Sequence, residues 1–219
     1  MLYLENQKIN YKLYGRRKGR KSFSSKDISF LNKNLFCSEK IKNKKIILDI
    51  GFGYGESTLY LSSKYKNSII IAIDVYKDGI INLSKKIREN KINNIIIFNQ
   101  NALFLFDKKN IKKLISEIWI FFPDPWSKKK HNKRRLVNKY FINKINFFLK
   151  KDSKIYITTD SRDYLISILD TFSKSKHYLW INEIPYKWDY AFNKLPDTKY
   201  YKKSLINKRK SFFLHFQKI

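Results

Sequence analysis

Ile46-Ile47-Leu48-Asp49-Ile50-Gly51-Phe52-Gly53-Tyr54-Gly55-Glu56-Ser57 runs from an apolar, β-branched segment through three glycines at alternate positions into a helical pattern. The apolar start reads as a buried strand. The glycines Gly51, Gly53 and Gly55 let the backbone turn tightly and approach a ligand where side chains would collide. A dinucleotide site of the form G-x-G-x-x-G would need a third glycine at position 56 to admit pyrophosphate, and Glu56 stands there instead. That acid, with Asp49 ahead of the loop, disfavours pyrophosphate and suits a cationic ligand. S-adenosyl-L-methionine carries a sulfonium and an ammonium group and fits this polarity.

Further apolar, β-branched runs at 69–75, 95–98, 118–122 and 154–159 predict four more buried strands. Between them lie stripes at helical spacing: Ile80, Leu83 and Ile87; Ile111, Leu114, Ile115 and Ile118; Leu136 to Leu149; and Tyr164, Leu165, Ile168 and Phe172. Doubly buried strands alternating with amphipathic helices predict an α/β fold, a Rossmann-like, doubly wound and mostly parallel sheet. Strand-like runs at about 178–184 and 211–217 add an antiparallel C-terminal hairpin at the sheet edge, giving seven strands. The expected organisation is a basic N-terminal extension over residues 1–40 and one domain over 41–219.

The 219 residues hold 47 Lys plus Arg against 18 Asp plus Glu, a net charge of +29, with 43% hydrophobic and 16% aromatic residues. So much apolar surface excludes a core-free polycation. One cysteine, Cys37, excludes an intrachain disulfide scaffold and points to a reducing cytoplasm. No apolar run reaches the roughly 18 to 20 residues of a spanning helix, and the start has no signal-peptide segment, so no membrane partner is expected. Neither is a metal. Most cations are Lys in a chain also rich in Ile and Asn, a bias that weakens the net charge as a pointer to nucleic acid. The clusters with Arg weigh more: Arg16, Arg17, Lys18, Arg20 and Lys21, and Lys128, Lys129, Lys130, Lys133, Arg134 and Arg135.

Asp74 ends the second strand 23 residues after Gly51, where an acid commonly accepts hydrogen bonds from a ribose diol; a helix N-cap is the plainer alternative. Asn101 follows the third strand, where a carboxamide can read an adenine amino group. The fourth strand leads into Phe121-Phe122-Pro123-Asp124-Pro125-Trp126. Each proline fixes its own φ and pushes the residue before it toward extended geometry, so Asp124 is clamped. A rigid carboxylate beside an indole suits a flat, polar, aromatic substrate. Six cations then fall within residues 127–135, ahead of a helix expected to begin near Arg134 or Leu136. Cations are disfavoured at a helix N-terminus, and nucleic-acid phosphates would offset that penalty. His131 is a weak candidate base, its basicity depressed by these neighbours.

LDIGFGYGES, FFPDPWSKKKHNKRRLV, TTDSRDY and TKYYKKS, with the lead-in YGRRKGR, together resemble the bacterial tRNA (guanine-N7-)-methyltransferase family over nearly the whole chain. The resemblance implies a methyltransferase fold that uses S-adenosyl-L-methionine to methylate N7 of a guanosine in the tRNA variable loop. It implies cofactor-binding roles for Asp49, Asp74, Asn101 and Asp124, and a catalytic role for Asp124. It also implies substrate-binding roles for Lys128, Asp160, Thr198, Lys199, Tyr200 and Tyr201, and RNA contacts for Lys130, His131, Asn132, Lys133, Arg134 and Arg135. Two departures stand out: Asn101 replaces the usual Asp, and Tyr201 replaces the usual Glu. Guanine N7 presents an in-plane lone pair and loses no proton on methylation, so no general base is needed. Asp124 is expected to orient the base or cofactor and support the developing purine cation. A methyltransferase for another substrate, or a non-catalytic RNA-binding protein of the same fold, stays open at this stage, as does a monomer or homodimer.

Overall fold

The computed structural model describes residues 14–15, 19, 21–34, 41, 44–107, 111, 114–182, 187–189 and 198–219. Arg16, Arg17, Lys18 and Arg20 of the N-terminal basic cluster lie outside them. The strands are β1 (Lys45–Ile50), β2 (Ser68–Ile73), β3 (Ile95–Phe98), β4 (Ile115–Phe121), β5 (Leu149–Thr159), β6 (Tyr178–Trp180) and β7 (Phe212–Lys218). They form one seven-stranded sheet in the order β3-β2-β1-β4-β5-β7-β6. The first five are mutually parallel, while β7 runs antiparallel to both β5 and β6. The C-terminal pair is the expected antiparallel hairpin at the sheet edge, its two consecutive strands joined by a long connection. Its last strand is threaded between β5 and β6, because Phe213, Leu214 and Phe216 are the more apolar set and take the buried position.

The helices are α1 (Ser25–Lys33), α2 (Glu56–Lys64), α3 (Lys77–Glu89), α4 (Ala102–Leu105), α5 (Lys139–Asn146), α6 (Arg162–Ser173) and α7 (Lys199–Ile206). Alternate residues of β1 face opposite ways. Leu48 and Ile50 bury against the layer of α4, α5 and α6, and Ile47 against the layer of α1, α2 and α3. Helix α1 starts with a capping box in which Ser24 and Asp27 satisfy each other's backbone N–H groups. Arg88 of α3 donates to the Asp27 carboxylate at 2.9 Å and docks α1 onto the sheet layer.

Two expected helices are corrected. The stripe from Ile111 to Ile118 is mostly strand, since Ile115 and Ile118 are each buried and pair with neighbours on both sides. A short apolar run fits either period, and the slot between β1 and β5 decides it. The helix expected from about Arg134 or Leu136 begins at Lys139, where the Asn138 side chain accepts from Phe141 N–H. Among the described residues, no helix is long and apolar enough to cross a membrane.

Candidate active site

From β1 the chain builds outward through β2 and β3, then returns to lay β4 on the other side of β1. At such a reversal the loops after the two central strands diverge and leave a crevice at their carboxyl ends. The glycine loop after β1 and the Phe121–Trp126 loop after β4 flank it, and between them opens a cavity of about 760 Å³.

All three loop glycines have positive φ: 81° at Gly51, 58° at Gly53 and 94° at Gly55. Their tasks differ. A Cβ on Gly51 would meet nothing within 4 Å and would project into open space. Gly53 donates its N–H to the Asp74 carboxylate at 2.7 Å. Gly55 precedes α2 off the cavity wall, where a Cβ would lie 2.9 Å from Leu83. Gly79, on α3, is a fourth required glycine. A Cβ there would stand 1.8 Å from the Gly53 carbonyl oxygen, so the helix supports the loop from beneath. Nothing in the local pattern marks it, because the contact is 26 residues distant along the chain.

Asp49 lies under this loop rather than on the cavity wall. It is fully buried; the hydroxyls of Ser57 and Thr58 both donate to its Oδ2 at 2.7 Å, and its Oδ1 is buried without a partner. Burial, reinforced by Asp74 and Glu56, pushes its carboxyl up to about 6. Asp74 accepts three backbone N–H groups, from Gly53 on Oδ2 and from Val75 and Tyr76 on Oδ1, and still faces the cavity. Burial raises its carboxyl despite these donors. Asn101 also lines the cavity while its Oδ1 caps α4 through Leu103 N–H.

Asp124 enters the same cavity from the other side, and desolvation there raises its carboxyl above the ordinary carboxylate range. The prolines do not hold the preceding Phe122 extended: its φ is 47°, and that of Trp126 is 46°. Phe122 N–H donates to the Thr158 carbonyl and Oγ1 on β5, which holds the loop in this sparsely populated conformation. Arg135 supplies the second anchor. Its Nε donates to the Pro125 carbonyl at 2.8 Å, its Nη2 pairs with Asp163, and it is only 4% exposed.

The basic run is itself a 3-10 helix, Lys129–Arg134, which ends ahead of the N-terminus of α5 at Lys139. Lys128, Lys129 and Lys130 are exposed and away from the cavity wall, whereas Lys133 and Arg134 line it. Arg135 departs from the expected RNA contact, being buried and committed to the loop. His131 meets the Trp126 ring edge at 5.9 Å, and desolvation, then Arg134, Lys128 and Lys133, lower its basicity. Asn132 accepts the Arg135 N–H on its backbone carbonyl and closes the turn.

At the C-terminal side, Thr198 caps α7 through Tyr201 N–H, and Lys199 and Tyr200 line the cavity above the glycine loop. Lys199 Nζ sits 4.8 Å from the Tyr54 ring. Tyr201 turns away, packing on Phe122 and Phe213. Asp160 is off the cavity wall and pairs with Arg209 at 3.0 Å. Tyr14 and Gly15, which open the YGRRKGR lead-in and were given no role in the site, also line the wall; a Cβ on Gly15 would lie 3.5 Å from Asp124 Oδ2.

A family model described as "Putative methyltransferase" matches residues 43–214. The tRNA (guanine-N(7)-)-methyltransferase of Neorickettsia sennetsu is 33% identical over 78% of this chain and 79% of its own length. That of Buchnera aphidicola from Acyrthosiphon pisum is 36% identical over 78% and 72%. The chain belongs to the tRNA (guanine-N7-)-methyltransferase family. A Streptococcus mutans methyltransferase-like structure in complex with SAH shares its fold, with a TM-score of 0.53, 14% identity, and coverage of 90% of this chain and 100% of that one.

The pocket of this family member fits S-adenosyl-L-methionine. Bare backbone at Gly51 leaves room that a side chain would fill, and the acids Asp74 and Asp124 both line a space of adequate volume. Two raised carboxyls facing one cavity favour a ligand that brings positive charge. Among the described residues, no group of three or more His, Cys, Asp or Glu could hold a metal ion.

Proposed function

We propose that this chain transfers a methyl group from S-adenosyl-L-methionine to N7 of a guanosine in the tRNA variable loop. The observation that carries the reading is the single cavity at the strand-order reversal, entered by the glycine loop from one side and by Asp124 from the other, with exposed cations beside it. When bound, S-adenosyl-L-methionine supplies an electrophilic methyl on a sulfonium. Gly51 and Gly53 form a bare floor beneath it, Asp74 holds the ribose end, and Asn101 meets the adenine. Asp49 acts from below the floor, fixing the start of α2 through Ser57 and Thr58 and adding negative potential where the ligand is cationic.

Asp124 orients the reacting groups and stabilises positive charge as it passes to the purine ring. Its loop is preorganised by Phe122 and Arg135, so little reorganisation accompanies reaction. Residues 41–219 form the catalytic domain, and residues 1–40 supply a basic approach for RNA. The exposed Lys128 and Lys130 face the tRNA phosphates. Lys199 and Tyr200 bound the base entrance. The test is incubation with labelled S-adenosyl-L-methionine and unmodified tRNA, followed by borohydride and aniline cleavage. One cleavage site at a variable-loop guanosine is expected. Label absent from RNA, or present without that cleavage, overturns the reading.

A further inference from the structure

Arg134 differs from every other cation of the basic run. Its guanidinium carbon lies 5.0 Å from the Trp126 ring and 5.3 Å from the Tyr14 ring, which themselves meet edge-on at 6.4 Å. Two aromatic faces restrict its rotation as solvent cannot. The side chain is half-buried on the wall that Asp124 also lines, and its Nε is buried without a hydrogen-bond partner. Its neighbours cannot take the same role. Arg135 is spent on Pro125 and Asp163, Lys133 is a flexible point charge, and Lys128 to Lys130 face outward.

A planar fork of donors held beside a carboxylate complements guanine on both sides: the fork suits the O6 acceptor, and the carboxylate suits the N1–H and N2–H donors. We propose that Arg134 reads the O6 of the target guanine inside the cavity and does not grip backbone phosphate. It is thus the residue by which the site rejects adenine, whose amino group at the same place is a donor and would meet another donor. The inference rests on the proposed guanosine-N7 reaction and adds its base-reading group.

The test uses the full chain and two ligated tRNAs, one carrying guanosine and one 6-thioguanosine at the methylated position. Sulfur is a poor acceptor, while N7 and the N1–H and N2–H donors are unchanged. Wild type is expected to prefer guanosine by about 10-fold or more in kcat/KM, as when a site's hydrogen-bond donor loses its acceptor on the substrate. Arg134→Ala and Arg134→Lys are expected to bring that preference close to one. They should leave the affinity for S-adenosyl-L-methionine by calorimetry, the melting temperature and the salt slope of tRNA binding unchanged. Equal wild-type rates on the two tRNAs overturn the proposal. So does a variant that slows both tRNAs by the same factor, lowers the salt slope by about one, which marks a phosphate contact, or binds S-adenosyl-L-methionine 10-fold more weakly, which marks a contact to its carboxylate. Failure of wild type to methylate guanosine at all would instead refute the proposed function, so the two failures are distinct.

Discussion

A carboxylic acid sealed from water, as Asp49 is, prefers its neutral form, and two donated hydroxyl hydrogen bonds do not fully compensate. Its folded-state value near 6 lies above the ordinary 3.8, so the native state binds the proton more tightly than the unfolded chain. Its favourable contribution is complete below pH 3.8, is lost as pH rises through 6, and is absent and constant above that. The span corresponds to about 3 kcal/mol. Asp49→Asn removes the charge but keeps an acceptor for Ser57 and Thr58. Urea unfolding of the ligand-free protein should show its stability gaining on wild type by about that amount between pH 4 and pH 7; parallel curves would disprove the assignment. Asp124 is the other decisive residue. Asp124→Asn should retain the fold and tRNA affinity while slowing single-turnover methylation on the order of 100-fold. In wild type the acid limb of kcat/KM for S-adenosyl-L-methionine, which reports the free enzyme, should fall above the ordinary carboxylate range. A near-normal variant rate would refute the role.

Elements meet the site through close backbone approach more than through side chains. Helix α3 touches the glycine loop where Gly79 passes under the Gly53 carbonyl, and the loop's conformation depends on that contact. In an exposed helix interior, replacing glycine by alanine stabilises by about 0.5 to 1 kcal/mol. Here the added methyl has nowhere to go. Gly79→Ala should destabilise the protein by about 1 to 3 kcal/mol, as overpacking does, and weaken S-adenosyl-L-methionine binding at least 10-fold. Thermal unfolding and calorimetry would check both, and a stabilised variant with normal binding would disprove the contact. The loop after β4 shows the same dependence on its neighbours, being tied to β5 by Phe122 and to α6 by Arg135 with Asp163.

Across the whole molecule, the +29 charge is not one undifferentiated RNA-binding surface. Asp27, Glu117 and Asp163 take Arg88, Lys45 and Arg135 into structural pairs. The cations left facing solvent near the cavity set the salt response. Lys130→Ala with Lys133→Ala should reduce the log-affinity versus log-salt slope for tRNA by about 1.4 to 1.8, at about 0.7 to 0.9 per phosphate. Arg135→Ala should leave that slope unchanged and lower the melting temperature. A slope that responds to Arg135 and not to the lysines would reverse this division of labour.

The strand, glycine loop and helix order, the acids at Asp74 and Asp124, and the doubly wound sheet were all readable from residues 46 to 172. Period-two and helical apolar patterns and glycine chemistry act over a few neighbouring residues, so a linear string carries them. Which of two adjacent arginines faces the cavity was not readable. Arg134 and Arg135 are chemically identical, and only Trp126 and Tyr14 on one side, and Pro125 and Asp163 on the other, separate their tasks. The burial of Asp49, the need for Gly79 and the place of Gly15 beside Asp124 were decided likewise by tertiary packing. Each depends on a partner remote along the chain whose distance is set only when the sheet and its two helix layers close together.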